Sequence, residues 1–251
     1  MNPKEYQKMK ELKNTYWWHV GRRFIILTIM LKHFKNFINH RKRIILDAGC
    51  GTGGNLTILK KFGKVIGVDE SRNALQRVEK EEFSKLVLGE VTKLPFPDNF
   101  FDCVTLFDVL EHIENDELAL RECLRVLKAG AAFMLTVPAY QWLWSGHDEA
   151  LNHKRRYTKY GIIEKMKKVG FDIRFASYMT TLLFPLMALY RLLKRKLKNQ
   201  KEASYVRFPL FINNLFIILL RLEAIALWLR ITFPFGMSII VYAKKPTSVS
   251  R

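Results

Sequence analysis

Between Ile45 and Gly54 the chain reads Ile-Leu-Asp-Ala-Gly-Cys-Gly-Thr-Gly-Gly, an apolar run entering a glycine-rich turn ahead of a helical stretch. Glycines there let a ligand approach the backbone, and the loop amides and the positive end of the helix face its polar groups. Asp69 closes the next apolar run, 20 residues after Gly49, where a carboxylate can accept both hydroxyls of a ribose. An adenosine-containing ligand follows from that pairing. Gly49, Gly51 and Gly54 also satisfy the G-x-G-x-x-G dinucleotide pattern, so a dehydrogenase stands beside other adenosine chemistries at this point.

A second concentration of reactive types lies between Tyr140 and Tyr157. His147 and Asp148 suit an acid/base or orienting pair, Arg155 and Arg156 a clamp on phosphate or carboxylate, and Tyr140 and Trp144 the walls of an acceptor pocket. His153 and Tyr157 complete the candidate set, with His112, which follows Glu111, as a further base. Stapling the loop to the helix that begins near Thr158 is an equal expectation for His153 and Arg156. The three cysteines, Cys50, Cys103 and Cys123, are odd in number and lack cluster spacing, so neither a disulfide framework nor a metal is expected. Cys50 is expected to pack behind the glycine loop rather than act as a nucleophile.

Short apolar runs separated by helical stretches must position these groups. Ile44–Leu46, Val65–Val68, Leu86–Leu88, Val104–Phe107 and Ala131–Val137 read as buried strands, and their alternation with helices argues for a parallel sheet. A helix near Lys159–Val169 and strands near Phe171–Ser177 and Met237–Ala243 follow. Four segments are expected: a helical N-terminal lid over residues 1–43, carrying Trp17, Trp18 and Arg22; a core over 44–177; an apolar and basic insertion over 178–235; and a last strand and tail over 236–251. The insertion is longer than ordinary connections and is expected to be functional. A helix opening at Pro185 would set Arg191, Lys194, Arg195 and Lys198 against Leu186, Leu189, Leu192, Leu193 and Leu197, a pattern suited to lying on a membrane. Phe211–Arg230 offers no single apolar face. The charge-free runs of the insertion fall short of a bilayer span.

Four strings from the middle of the chain, LDAGCGTGG (46–54), VIGVDES (65–71), LPFPDNFFDCVTLFDVLEHI (94–113) and RECLRVLKAG (121–130), together resemble the class I S-adenosylmethionine-dependent methyltransferases, in particular the branch that includes ubiquinone-biosynthesis-type enzymes. The resemblance implies an α/β, Rossmann-like sheet of seven strands with helices on both faces, its last strand antiparallel. It implies that Asp47 and the loop of Gly49, Cys50, Gly51 and Gly53 hold the methionine part of S-adenosylmethionine, Asp69 the ribose, and Glu70 and Ser71 the adjoining turn. Glu90 and Val91 would flank the adenine. Asp108, Val109 and Leu110 would line the methyl-donor end. Where the family commonly has Asp, Pro and Gly, this chain has Glu90, Ala129 and Ala131. The string GHDEALNHKRRYT (146–158) is similar to one found in a subset of these enzymes. S-adenosyl-L-homocysteine would be the product, with no metal required.

The charge of +19 is unevenly placed, at +9 over residues 1–44, −4 over 45–145 and +14 over 146–251. Basic flanks suit a polyanion, either an anionic membrane surface or a nucleic acid. The fourth strand ends in Asp-Val-Leu-Glu rather than the Asn/Asp-Pro-Pro-aromatic string of enzymes that methylate base amino groups, which sets nucleic acid second. A catalytically silent adaptor on the same fold is the third reading. No secretory leader is visible, since the first apolar run, Phe24–Leu31, follows Arg22 and Arg23 directly; the start of the chain is expected to be retained. The sequence reading is a methyltransferase on the cytoplasmic, inner face of a membrane. It acts on a small or amphipathic acceptor such as a lipid, quinone precursor or lipid-linked glycan, with a second copy of the chain as a further partner.

Overall fold

The strands of this chain are nearly continuous apolar runs, as a sheet covered on both faces requires. The computed structural model describes residues 3–34, 43–79, 85–196 and 208–247. Among them one sheet contains β1 (Ile44–Ala48), β2 (Lys64–Asp69), β3 (Lys85–Leu88), β4 (Phe101–Phe107), β5 (Leu127–Pro138), β6 (Asp172–Met179) and β7 (Ser238–Lys244), in the order 3-2-1-4-5-7-6. The pairings from β3 through to β5 are parallel, and β7 lies antiparallel between β5 and β6. This is the seven-stranded, Rossmann-like arrangement that the resemblance implied. Strand order reverses between β1 and β4, and in open α/β sheets ligands bind in the crevice beyond the carboxyl ends at such a switch point.

The helices are α1 (Pro3–Leu12), α2 (Trp17–His33), α3 (Leu56–Leu59), α4 (Arg72–Leu75), α5 (Asp116–Val126), α6 (Gly146–Ala150), α7 (Lys159–Val169), α8 (Phe184–Lys196) and α9 (Leu210–Trp228). α5 and α7 pack on one face of the sheet through Ala119, Leu120, Cys123, Ile162 and Met166. α7 runs between a Thr158 side chain that accepts from the Gly161 amide and a left-handed Gly170, the ordinary start and stop signals of a helix. The other face is covered by α2 and α9, with Ile25, Ile29, Phe216 and Leu220 against Ile45, Cys103, Met134 and Ile240.

α2 and α9 approach closely where Gly21 meets Leu220; a Cβ at Gly21 would lie 2.1 Å from Leu220 Cδ1. This contact explains the second half of the insertion. Phe216, Leu220, Glu223, Ala224 and Leu227 are its buried residues and follow one helical stripe, while the opposite side, with Leu215, Ile218, Leu222 and Ile225, is apolar but exposed. Two apolar sides hide the period. The polar residues have specific partners: Asn213 Oδ1 accepts from the Trp17 amide, Arg221 stacks over Phe24, and Glu223 accepts from the Thr180, Thr181 and Leu182 amides. α9 is long and apolar enough to cross a membrane, with a mean hydropathy of 1.9 over 18 residues, whereas the run-length expectation set it below that limit. Tolerating Arg221 and Glu223 accounts for the difference.

The first half of the insertion departs from expectation at Arg191. Expected on an outward basic face, it turns inward, with Nη1 3.4 Å from Asp148 Oδ2 and 3.3 Å from the Leu143 carbonyl. The buried carboxylate of Asp148 supplies the attraction. Leu186, Leu189, Leu192 and Leu193 are exposed, as the membrane-resting pattern required. The side chains of Lys194 and Arg195, and all of Leu197 and Lys198, lie outside the described residues.

Candidate functional site

A cavity of about 1530 Å³ opens over the carboxyl ends of β1, β2 and β4. The glycine loop, Asp69, Glu70, Glu90 and Val91 line one end; His112, Trp144, His147, His153 and Arg156 line the other, with Asp108 and Val109 also in the lining. Tyr6 and Met9 of α1 and Trp17, Trp18 and Arg22 of α2 close it from the N-terminal side, and Met187, Tyr190 and Arg191 of α8 from the insertion. Asp47, Gly53, Ser71, Leu110, Tyr140, Asp148, Arg155 and Tyr157 are not part of the lining.

The glycine loop is pinned by Gly49 and Cys50 amides donating to the Val68 carbonyl at 2.7 and 2.9 Å. Gly49 has φ +72°, and a Cβ there would lie 2.4 Å from Val109 Cγ2, so the close pass of the two strand ends requires glycine. Gly51 has φ +54° with open space on its Cβ side. The Cys50 sulfur packs back toward Gly67, and burial pushes its thiol well above the ordinary range, so it is not a nucleophile. Asp69 Oδ2 accepts from the Gly51 amide at 2.8 Å and Oδ1 from the Ser71 amide at 2.9 Å. Each carboxylate oxygen keeps a further lone pair. Ser71 caps α4 through Ala74, which places its side chain on the turn rather than in the cavity.

Among the described residues, Asp47 Oδ2 and Arg22 Nε are buried beneath this end without a hydrogen-bond partner. Burial raises the Asp47 carboxyl to about 7, offset in part by the hydrogen bond from Thr105, and lowers Arg22 to about 10. The Arg22 guanidinium binds the carboxylate of Asp108, Asn55 Oδ1 and Thr136 Oγ1. Asp108 itself adopts φ +54°, a strained region for a residue other than glycine and one that clusters at functional sites. The donor set of the lining fits S-adenosylmethionine: a carboxylate for ribose, an open glycine cradle and an unpartnered guanidinium N–H for a carboxylate, with the Asp47 carboxylate beneath the cradle rather than in the lining.

At the other end, Asp148 is fully buried. It accepts from Arg156 Nε and Nη2 at 2.8 and 3.0 Å and from the Ser145 amide, and its Oδ1 lies 2.9 Å from His153 Nδ1. Burial works to raise its pKa, but the His153 bond and the charges of Arg156 and Arg191 prevail and hold it below the ordinary carboxylate range. Arg156 has a third bond to the Ala139 carbonyl at 3.0 Å, so its fork is occupied within the loop. Arg155 faces away, toward Asp116 and the Glu114 carbonyl. The Tyr157 hydroxyl donates to Asp116 at 2.9 Å, and Tyr140 stacks on Tyr178 with ring centroids 5.1 Å apart. Burial lowers His147 to about 3 and His112 to about 4, so both are neutral near pH 7.

Glu111 escaped the sequence reading as a site residue. Its side chain is buried, Oε2 has no hydrogen-bond partner among the described residues, and burial pushes its carboxyl up to about 8. Its ligating oxygen, with one nitrogen each of His112 and His153, falls within a span of 4.8 Å. The sequence expected no metal; the structure brings together three residues able to ligate one. The signal was the Glu-His pair at 111–112, read only for its histidine.

Residues 46–135 match the family model of the methyltransferase domain. A probable S-adenosylmethionine-dependent methyltransferase of Mycolicibacterium smegmatis is 29% identical over 136 residues, 52% of each chain. The demethylmenaquinone methyltransferase of Symbiobacterium thermophilum is 41% identical over 102 residues, 36% of this chain and 40% of that one. This chain spans about half the length of the curated relatives it matches. A Haloferax volcanii chain solved in complex with the Trm112 methyltransferase activator superposes with a TM-score of 0.61 at 16% identity, over 98% of this chain and 96% of that one, a likeness of fold. With the glycine cradle and Asp69 in place, residues 46–135 are the part of the chain that the methyltransferase-domain model matches.

Proposed function

We propose that the protein transfers the methyl group of S-adenosylmethionine to a small or amphipathic acceptor, a lipid, a quinone-like ring or a lipid-linked glycan, at a membrane surface. The observation that carries the cofactor reading is the pair of unpartnered buried atoms, Arg22 Nε and Asp47 Oδ2, beneath a glycine cradle that also holds Asp69. Asp69 would take the ribose, Glu90 and Val91 the adenine, and Arg22 and Asp47 the charged ends of the methionine part. The bound cofactor supplies a methyl already activated on a sulfonium, transferred by in-line displacement. The protein's task is alignment and exclusion of water, worth on the order of 7–11 kcal/mol at best.

The acceptor reading rests on α8. One side of this helix reaches the cavity through Met187, Tyr190 and Arg191, and the other exposes Leu186, Leu189 and Leu193. An apolar surface therefore adjoins the acceptor end, and the charge of +14 beyond residue 145 suits an anionic bilayer. His112 and His147, both neutral, line the cavity near an incoming acceptor, and Trp144 supplies a flat apolar wall. The demethylmenaquinone relative is consistent with an amphipathic acceptor. A cytoplasmic, peripheral location belongs to the same reading.

Calorimetric titration with S-adenosylmethionine, S-adenosylhomocysteine and NAD tests the cofactor. The adenosyl ligands should bind and NAD should not, and Asp69→Ala should abolish binding; tight NAD binding overturns the reading. For the membrane, replacing Leu186, Leu189 and Leu193 together with Gln should release the protein from anionic vesicles. Unchanged vesicle binding would refute that surface.

A further inference from the structure

We propose that Glu111, His112 and His153 form a binding site for a divalent transition-metal ion, open toward the acceptor end of the cavity. The three ligating atoms lie within 4.8 Å of one another, and all three residues line the cavity. Two histidine nitrogens and one carboxylate oxygen, with a position left open, form the donor set of catalytic zinc and non-haem iron(II) sites rather than of magnesium or calcium. Each donor must come to about 2.0–2.2 Å from a zinc-like ion.

The surroundings are built as metal sites require. A ligating histidine ordinarily uses its second ring nitrogen on a carboxylate or a backbone carbonyl, which fixes the tautomer and aims the free nitrogen at the ion. His153 meets this condition with Nδ1 at 2.9 Å from Asp148 Oδ1, leaving Nε2 for the ion. Asp148 is in turn locked by Arg156 and Ser145. The two halves are strapped together by the Lys154 amide, which donates to the Glu111 carbonyl at 2.7 Å, and the rings of His112 and His153 meet edge to face at 4.7 Å.

Glu111 gives the independent pointer to a ligand. Its residue is 1% exposed, and Oε2 makes no hydrogen bond among the described residues. A carboxylate oxygen buried without a partner is costly, and neither Arg22 nor Arg156 reaches it with a donor among the described contacts. An ion between Glu111 and the two histidines would supply the missing positive charge. All three residues line the cavity, so an open position on the ion would adjoin the acceptor space. If the acceptor is a hydroxyl, coordination lowers its pKa; its proton leaves to solvent, the oxygen's electron pair forms the new bond to the methyl carbon, and the carbon–sulfonium bond breaks with its pair left on sulfur, releasing S-adenosylhomocysteine. That role rests on the methyl-transfer reading, whereas ion binding does not.

The test uses the full chain, stripped with a chelator and titrated with Co²⁺ by visible absorption, with Zn²⁺ in competition and Mg²⁺ as comparator. One Co²⁺ per chain should bind with the d–d bands of a nitrogen/oxygen site, and Zn²⁺ should displace it. Glu111→Gln, His112→Ala and His153→Ala should each weaken binding at least about tenfold, with thermal melting showing that each variant folds. Glu111→Gln preserves shape and keeps the test decisive if a histidine variant fails to fold. Absence of a stoichiometric Co²⁺ site, preference for Mg²⁺, or equal affinity in Glu111→Gln would overturn the proposal. Stoichiometric Co²⁺ with no S-adenosylhomocysteine binding would uphold the ion site and place the fault in the methyl-transfer reading.

Discussion

At the Gly49–Asp69 end of the cavity, the polar groups come from the tips of neighbouring parallel strands and the turns that follow them, and backbone amides tie them to one another. The His112–His153 end is assembled differently, from the turn after β4, the segment following α6 and a side chain of α8 that reaches Asp148. The first is a backbone device, in which amide positions and glycine angles hold the shape. The second is a side-chain device centred on one buried carboxylate. A backbone cradle tolerates changes of side chain around it but not a Cβ inside it, whereas a charge-centred network fails when its centre is removed.

The largest effect should follow from removing that centre. Asp148→Ala leaves Arg156 and half-buried Arg191 without their common partner, and loss of one member of a buried pair costs about 3–5 kcal/mol. Urea unfolding should report that loss together with weakened ion binding, while a shift below about 1 kcal/mol would mean that the network is not the organiser. At the opposite end, Gly49→Ala puts a Cβ 2.4 Å from Val109 at φ +72°. It should cost about 1–3 kcal/mol and weaken S-adenosylhomocysteine binding, measured by calorimetry, without altering Co²⁺ binding. Equal damage to both ligands would break the distinction between the two ends.

Glu223, which ties α9 to the end of β6, gives a smaller, pH-dependent effect. Burial raises its carboxyl from 4.5 to about 7, against the amide hydrogen bonds of Thr181, Leu182 and Thr180. A carboxyl raised in the folded state favours its neutral form there, so its contribution is full below about pH 4.5 and is lost as the pH rises to about 7. Thermal midpoints should fall across that window in the wild type and less steeply in Glu223→Gln, with a difference on the order of 1–3 kcal/mol. The smallest effect on stability belongs to the outer face of α8. Leu189→Gln, at a position 55% exposed, should leave stability within about 0.5 kcal/mol while reducing vesicle retention.

The same contrast explains what the residues revealed in advance. The cradle was legible because its parts are local: the Ile45–Gly54 string contains the strand, the turn and the glycines, and Asp69 stands at the spacing of one crossover. Helix α7 was legible near Lys159–Val169 for the same reason. The role of Arg191 was not, because its periodicity places it with the basic residues and only the fold brings Asp148 within reach. α9 defeated the period analysis because one apolar side meets α2 and the other is exposed. Glu111 was hidden by adjacency: in sequence it is a neighbour of His112, and only the return of the chain at Lys154 sets His153 beside both.

The central claim, methyl transfer to an amphipathic acceptor, is tested most directly by incubating the protein with membranes and S-adenosylmethionine carrying a labelled methyl group, then separating lipid-extractable, nucleic-acid and protein fractions. The account predicts label in the lipid extract that disappears with Asp69→Ala. Label confined to nucleic acid or protein, or lipid label that persists in Asp69→Ala, would contradict it.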